Sequence, residues 1–290
     1  MIHCADMFPA VDTRDLPAVQ REVESIFCSL FPEEENAFVA RSFAWASQWF
    51  SGEYPGFLAI DARYHDLEHT LQGTLCLARL LRGRHFAGAR PVLTPQTFEL
   101  GLLAILMHDT GYLKRADDLE GTGAKYTLTH VRRSGEFAKA FLEANGYQAA
   151  DVSSIQNMIR CTGVNVDLGS IPFASELEKI VGFALGTADL LGQMAASDYV
   201  EKLPVLYLEF AEATRFSGPT KLTAFATADD LMRDTPTFWE SYVWPKLHGD
   251  FGSLYRYLNE PYPKGPNFYL DRIVANLARL RQMFAAAPVN

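Results

Sequence analysis

The feature that most constrains this chain is a hydrophobic repeat of helical period that persists almost from end to end. In segments such as AFVARSFAWASQWF and QTFELGLLAILM, apolar residues recur three and four positions apart and so share one helix face. Alternating apolar and polar runs of any length, the mark of a half-buried strand, are absent from the sequence. Helices are therefore expected at about 14–30, 34–50, 65–82, 95–109, 127–145, 150–161, 174–193, 197–214, 219–232, 236–250 and 267–285. Pro32, the pair Thr94 and Pro95, and Asp151 supply start signals; Gly146, Gly163 and Gly218 supply stops, and Pro219 suits a new start. The expected fold is all-α, a single large helical bundle.

With 290 residues, 48% of them apolar, the chain can bury a sizeable core. No Gly-, Ser- or Pro-rich linker and no internal repeat divides it, and PYPKGP at 261–266 reads as a turn before the last helix. One domain over 1–290 is expected. The net charge is −9 and the longest basic block is Arg132–Arg133, which disfavours a groove for long nucleic acid. A small anionic ligand remains compatible, because a metal ion can supply positive charge locally. Cys4, Cys28, Cys76 and Cys161 are widely spaced with no CxxC pair, and MIHCADMFPA has no basic segment leading into an apolar one. These features predict a cytoplasmic protein with buried, reduced thiols. No run of about 18 apolar residues predicts a membrane span.

Three segments carry the chemistry. YHDLEH at 64–69 spaces His65 and His69 four apart, on one face of a helix. Both imidazoles could bind an ion, or one could bind while the other moves protons; a solvated pair is the alternative. LLAILMHDTG ends an apolar helix on His108 and Asp109, where a buried carboxylate must be satisfied or protonate. An exposed last turn is the alternative there. Asp189 is the only charged residue between Lys179 and Asp198, and serves as a ligand, a cap or a hydrogen-bonded core group. His130 opens a further helical segment, while His3, His85 and His248 match no motif.

In this order and combination, YHDLEH at 64–69, AILMHD at 104–109 and TADL at 187–190 resemble the HD-domain metal-dependent phosphohydrolases. Within them the chain is similar to the branch containing the class I cyclic nucleotide phosphodiesterases. FWESYVWPKL at 238–247 resembles the aromatic and proline helix that closes the phosphodiesterase pocket, so the likeness spans about 64–250. It implies an HD-type metal-binding core at about 64–190, flanked by helices 14–50 and 197–285. It also implies that His69, His108, Asp109 and Asp189 ligate a divalent metal (Zn, Mn, Fe, Co, Mg or Ni). Asp109 would bridge to a second metal, His65 would be the general acid, and His130 would ligate that second metal or contact phosphate. Tyr64, Asp66 and Thr187 adjoin these residues and are expected to support them. Arg132 and Arg133 are further candidates for phosphate contact. The donor chemistry agrees, since mixed imidazole and carboxylate ligands suit such ions, and a metal lowers the pKa of its water from 15.7 towards about 7.

The sequence also departs from the family pattern. Asp66 replaces an Asn, Tyr112 stands where HDxxH would have a second histidine, and Thr235 stands at the position of the purine-holding glutamine. MIRCTGVNVD at 158–167 lacks the histidines of dinuclear HD enzymes, and HDTGY lacks the lysine of the HD-GYP phosphodiesterases. The expected function is a metal-dependent phosphohydrolase that uses metal-activated hydroxide and a histidine acid on a phosphodiester or nucleotide. Its partner would be a small phosphorylated substrate, with no long nucleic acid and no membrane; the sequence does not fix an oligomeric state. Held in parallel are a nucleotide monophosphatase or triphosphohydrolase, a non-catalytic metal- and nucleotide-binding module, and a di-iron HD-domain oxygenase.

Overall fold

The structure is a computed structural model that describes residues 10–220 and 225–285. Among these, ten α-helices form and no strand does: α1 (Leu16–Leu30), α2 (Ala37–Ser51), α3 (Leu67–Phe86), α4 (Pro95–Met107), α5 (His130–Ala144), α6 (Ala149–Arg160), α7 (Glu176–Met194), α8 (Tyr199–Ser217), α9 (Ala228–Phe238) and α10 (Phe268–Ala285). The fold is an all-α bundle. One contiguous hydrophobic core runs from Val19 to Leu280 and draws side chains from all ten helices. No single helix among the described residues is long and apolar enough to cross a membrane.

Three central helices position the site. α3 and α7 lie against each other at very close range, because a Cβ at Gly192 would meet the Gln72 backbone at 2.8 Å. Their ends are fixed by side-chain caps: Asp66 accepts from the His69 N–H and Ser175 from the Glu178 N–H. α4 starts at Pro95 behind the Thr94 cap, which accepts from the Thr97 N–H, and its body is buried almost throughout. An apolar helix of this kind carries its C-terminal residues straight into the interior.

Several boundaries differ from expectation for identifiable reasons. The helix predicted from 65 begins at Leu67, because Asp66 takes the cap position and leaves His65 just outside. The helix predicted over 219–232 falls partly on residues 221–224, outside the described residues. Its described part is α9, starting at Ala228, where Thr227 and Asp230 form a reciprocal capping box that Pro219 cannot supply. The segment predicted over 236–250 continues from α9 through two π-helical turns, Trp239–Val243 and Lys246–Asp250. Pro245 lies between them and has no N–H for the helical ladder. Among the cysteines, Cys76 and Cys161 are buried as expected, but Cys28 is exposed. Cys4 lies outside the described residues.

Candidate metal centre and pocket

α3, α4 and α7 converge on four donor atoms. His69 comes from the first turn of α3, His108 and Asp109 from the end of α4, and Asp189 from the middle of α7. His69 Nε2 lies 3.2 Å from both Asp109 Oδ2 and Asp189 Oδ1, and His108 Nε2 lies 3.3 and 3.4 Å from the same two oxygens. For an ion with bonds of about 2.1 Å, neighbouring ligands stand roughly 3.0 Å apart in an octahedron and 3.4 Å in a tetrahedron. The spacing therefore fits a shared cation. His69, His108 and Asp109 form a buried group able to hold a metal ion, and Asp189 approaches both histidines from a third helix.

Hydrogen bonding supports the same reading. His108 Nδ1–H donates to the Ile105 carbonyl at 2.7 Å, which turns the Nε2 lone pair into the cluster. His108 Nε2 and Asp109 Oδ2 are buried and have no hydrogen-bond partner, so a cation would satisfy both. Burial alone would depress the His69 imidazole, yet the Asp109 and Asp189 carboxylates raise it to about 10. His108 moves up in the same way. Burial pushes Asp109 and Asp189 upward, but the surrounding imidazoles outweigh it and hold both below the usual carboxylate range. Two carboxylates kept ionised in the interior require positive charge beside them, which two imidazolium groups or one dication would supply.

The turn after α4 is held by α5. The Ser134 hydroxyl donates to the His108 carbonyl and accepts the Gly111 N–H at 2.8 Å. Arg133 donates to the carbonyls of Gly111 and Leu113 at 2.7 and 2.6 Å and lies 3.4 Å above the Tyr126 ring. A Cβ at Gly111 would stand 2.0 Å from the His130 carbonyl oxygen, so only glycine allows this approach. Arg133 is thus committed to the backbone, and Arg132 pairs with Glu136 on the surface. The structure places neither among the residues lining the metal pocket.

His65 stands beside the cluster with its own partner. Its Nδ1 lies 2.6 Å from Glu209 Oε2, and the Tyr64 N–H donates to Glu209 Oε1 at 2.7 Å. Burial tends to raise the Glu209 carboxyl, but the His65 charge and these hydrogen bonds hold it below its ordinary value. With Nδ1 engaged, Nε2 is the ring nitrogen left for a ligand. Tyr112 stacks against both His65 and His130, its ring 4.5 and 4.8 Å from theirs, and the two imidazoles stand 6.0 Å from each other. His130 Nδ1–H donates to the Thr127 carbonyl at 2.6 Å, and its Nε2 lies 3.7 Å from Asp109 Oδ1. Burial lowers the His130 pKa, which favours the neutral ring.

The expected supporting residues fall in different places. The Tyr64 hydroxyl donates to Gln193 Oε1 at 2.8 Å, and Gln193 Nε2 donates to Asp189 Oδ1 at 3.3 Å. Asp66 caps α3 and pairs with Lys202 at 3.2 Å. Thr187 instead donates to the Phe183 carbonyl within its own helix. Glu209, Gln193 and Ser134 were not legible as site residues. His85 packs edge-on against Phe31 and His248 meets the Tyr255 hydroxyl, both away from the cluster, while His3 lies outside the described residues.

The cluster opens into a cavity of about 240 Å³ whose walls include Leu190, Leu203, Leu206, Phe210, Leu231 and Phe238. Its described lining contains no lysine or arginine. Thr235 faces it, but its hydroxyl donates to the Leu231 carbonyl of the same helix. Among the described lining residues, positive charge for an anion can come only from the floor and from the His65 and His130 rings.

A family model described as Npun_R2479-like matches residues 116–259, just under half of the chain. The matched segment contains His130, Asp189 and Glu209 and begins after His108 and Asp109. No curated protein matches the chain.

Proposed function

We propose that this protein is a metal-dependent hydrolase of phosphoric esters. The observation that carries this reading is the set of four donors, two imidazole and two carboxylate, 3.2–3.4 Å apart at the floor of an apolar pocket. The resemblance of its motifs to the HD-domain phosphohydrolases supports the same assignment. His69, His108, Asp109 and Asp189 would hold the ion, which when bound supplies Lewis acidity to the phosphoryl group and makes water acidic enough to attack at neutral pH. Mixed nitrogen and oxygen donors suit Zn, Mn, Fe, Co or Ni, with Mg favoured least.

The chain's own residues do the rest. Glu209 holds His65 through Nδ1, so that a proton on Nε2 is aimed at the pocket and can pass to the leaving oxygen. Tyr64 fixes Glu209 through its N–H and Asp189 through Gln193, tying the proton donor to the metal floor in one network. The apolar walls exclude water and receive the organic part of the substrate. A proton-relay pair beside the cluster favours an enzyme over a binding module.

Metal analysis of the purified protein, followed by a panel of phosphomonoesters, diesters and nucleotides with each metal restored, tests this reading. The expected result is about one metal per chain and hydrolysis abolished by chelator. Protein that retains no transition metal, or that hydrolyses no panel member in a chelator-sensitive way, would overturn it. Product identity separates phosphodiesterase from monophosphatase and triphosphohydrolase, and oxygen uptake would mark a di-iron oxygenase.

A further inference from the structure

His130 lines two adjoining cavities that differ in the charged side chains they carry. On one side is the metal pocket, with apolar walls and no lysine or arginine in its described lining. On the other is a larger cavity of about 580 Å³ that shares Thr127, His130 and Val164 with it. This second cavity is lined by Arg132, Glu136, Gln156, Arg160 and Asn165 as well. Arg132 and Glu136 pair with each other. Gln156 spends its amide on the Gly135 carbonyl. Arg160 closes α6, is half-buried, and has no ion-pair partner among the described residues. An unpaired guanidinium on a cavity wall, in a chain of net charge −9, is a local positive site.

We infer that the second chamber is an anion subsite, and that Arg160 selects phosphoesters carrying a further anionic group a few bonds from the scissile phosphoryl. The inference rests on the phosphohydrolase reading and narrows its substrate class. A phosphoryl group at the floor would be neutralised by the cation that His69, His108, Asp109 and Asp189 would hold, and the leucine and phenylalanine walls would accommodate the organic body. A second carboxylate or phosphate has no lysine or arginine counterpart among the described residues of those walls, and Asp234 on the same lining would repel it. Arg160 lines the second cavity, which adjoins the first at Thr127, His130 and Val164, and its planar fork can bind a carboxylate or a phosphate in two-pronged fashion.

Phosphonates, which are not hydrolysed, read this without turnover. Calorimetry on the metal-loaded protein would compare 4-phosphonobutyrate with butylphosphonate, which lacks the second charge. The acid is expected to bind about tenfold more tightly, as one charge-assisted contact provides. In Arg160→Ala and in Arg160→Gln, which keeps the stem and a polar end, that advantage should fall below about threefold. In the wild type it should shrink as salt is raised. Equal affinities in the wild type, an advantage that survives both variants, or one indifferent to salt would overturn the subsite. Loss of chelator-sensitive hydrolysis with the advantage intact would remove the reaction and leave the subsite. Hydrolysis without the advantage would remove the subsite alone.

Discussion

Consider chelation of the purified protein at a series of pH values between 6.5 and 9. In the metal-free cluster His69 is drawn from its ordinary 6.5 up to about 10, because two carboxylates approach its Nε2 at 3.2 Å despite complete burial. A group whose folded pKa exceeds its unfolded value stabilises the fold fully below the unfolded value. That stabilisation is lost as pH rises through the folded one. From 6.5 to 9 the loss is about 3 kcal/mol at 1.36 kcal/mol per pH unit, and His108 moves in the same direction. Asp109 and Asp189 are held low, so their contribution is lost only on acidification below the ordinary carboxylate range and adds no slope here. The metal-bound protein needs neutral imidazoles and lacks this slope. For 290 residues, about 3 kcal/mol corresponds to a midpoint change of roughly 5 °C. Thermal unfolding with and without chelator should therefore show a gap that widens by about that amount across the range. A gap of constant size, or none at any pH, would refute the reasoning.

Other outcomes follow from the same geometry. His65→Ala should keep its metal and lose about 10²–10⁴-fold in turnover, and Glu209→Gln should lose turnover in the same direction with metal retained; both are read by metal analysis beside kinetics. Asp189→Ala should weaken metal binding by more than about tenfold, measured by competition with a metallochromic chelator. Ser134→Ala removes the partner of both the Gly111 N–H and the His108 carbonyl and should cost about 2 kcal/mol or more in denaturant unfolding. Gly111→Ala should cost more than about 3 kcal/mol by the same measurement, since its Cβ would meet backbone that cannot yield.

The sequence declares the metal-cluster residues because each is chemically out of place. Asp189 is the only charge in the apolar stretch of α7 after Lys179, and His108 and Asp109 end a helix that is buried along its length. Their partners carry no such signal. Glu209 sits in LPVLYLEFAEATRF three residues from Glu212, and on an amphipathic helix the two look alike. Packing alone tells them apart: Glu209 meets His65, while Glu212 takes the Thr122 hydroxyl at 2.8 Å. Ser134 and Gln193 are similarly anonymous, since a serine or glutamine in a helix usually faces water. The helical fold was legible because period 3.6 is a local property. The start of α9 was not, because Gly218 followed by Pro219 looks like one helix stopping and the next starting. The capping box that actually starts α9 lies at Thr227.

The four donors come from three helices, with His108 lying 39 residues after His69 and Asp189 lying 80 residues after Asp109, and none of those helices can present more than two of them alone. An unfolded or half-folded chain therefore holds scattered ligands of ordinary weakness, and the cage exists only once the interior has closed. Binding confined to the finished fold adds stability in proportion to the logarithm of free ion over its dissociation constant, about 1.4 kcal/mol for every tenfold excess. On the proposed metal reading, the lifetime of this protein would be set in part from outside, by the free metal of its surroundings, and scarcity of the ion would favour unfolding.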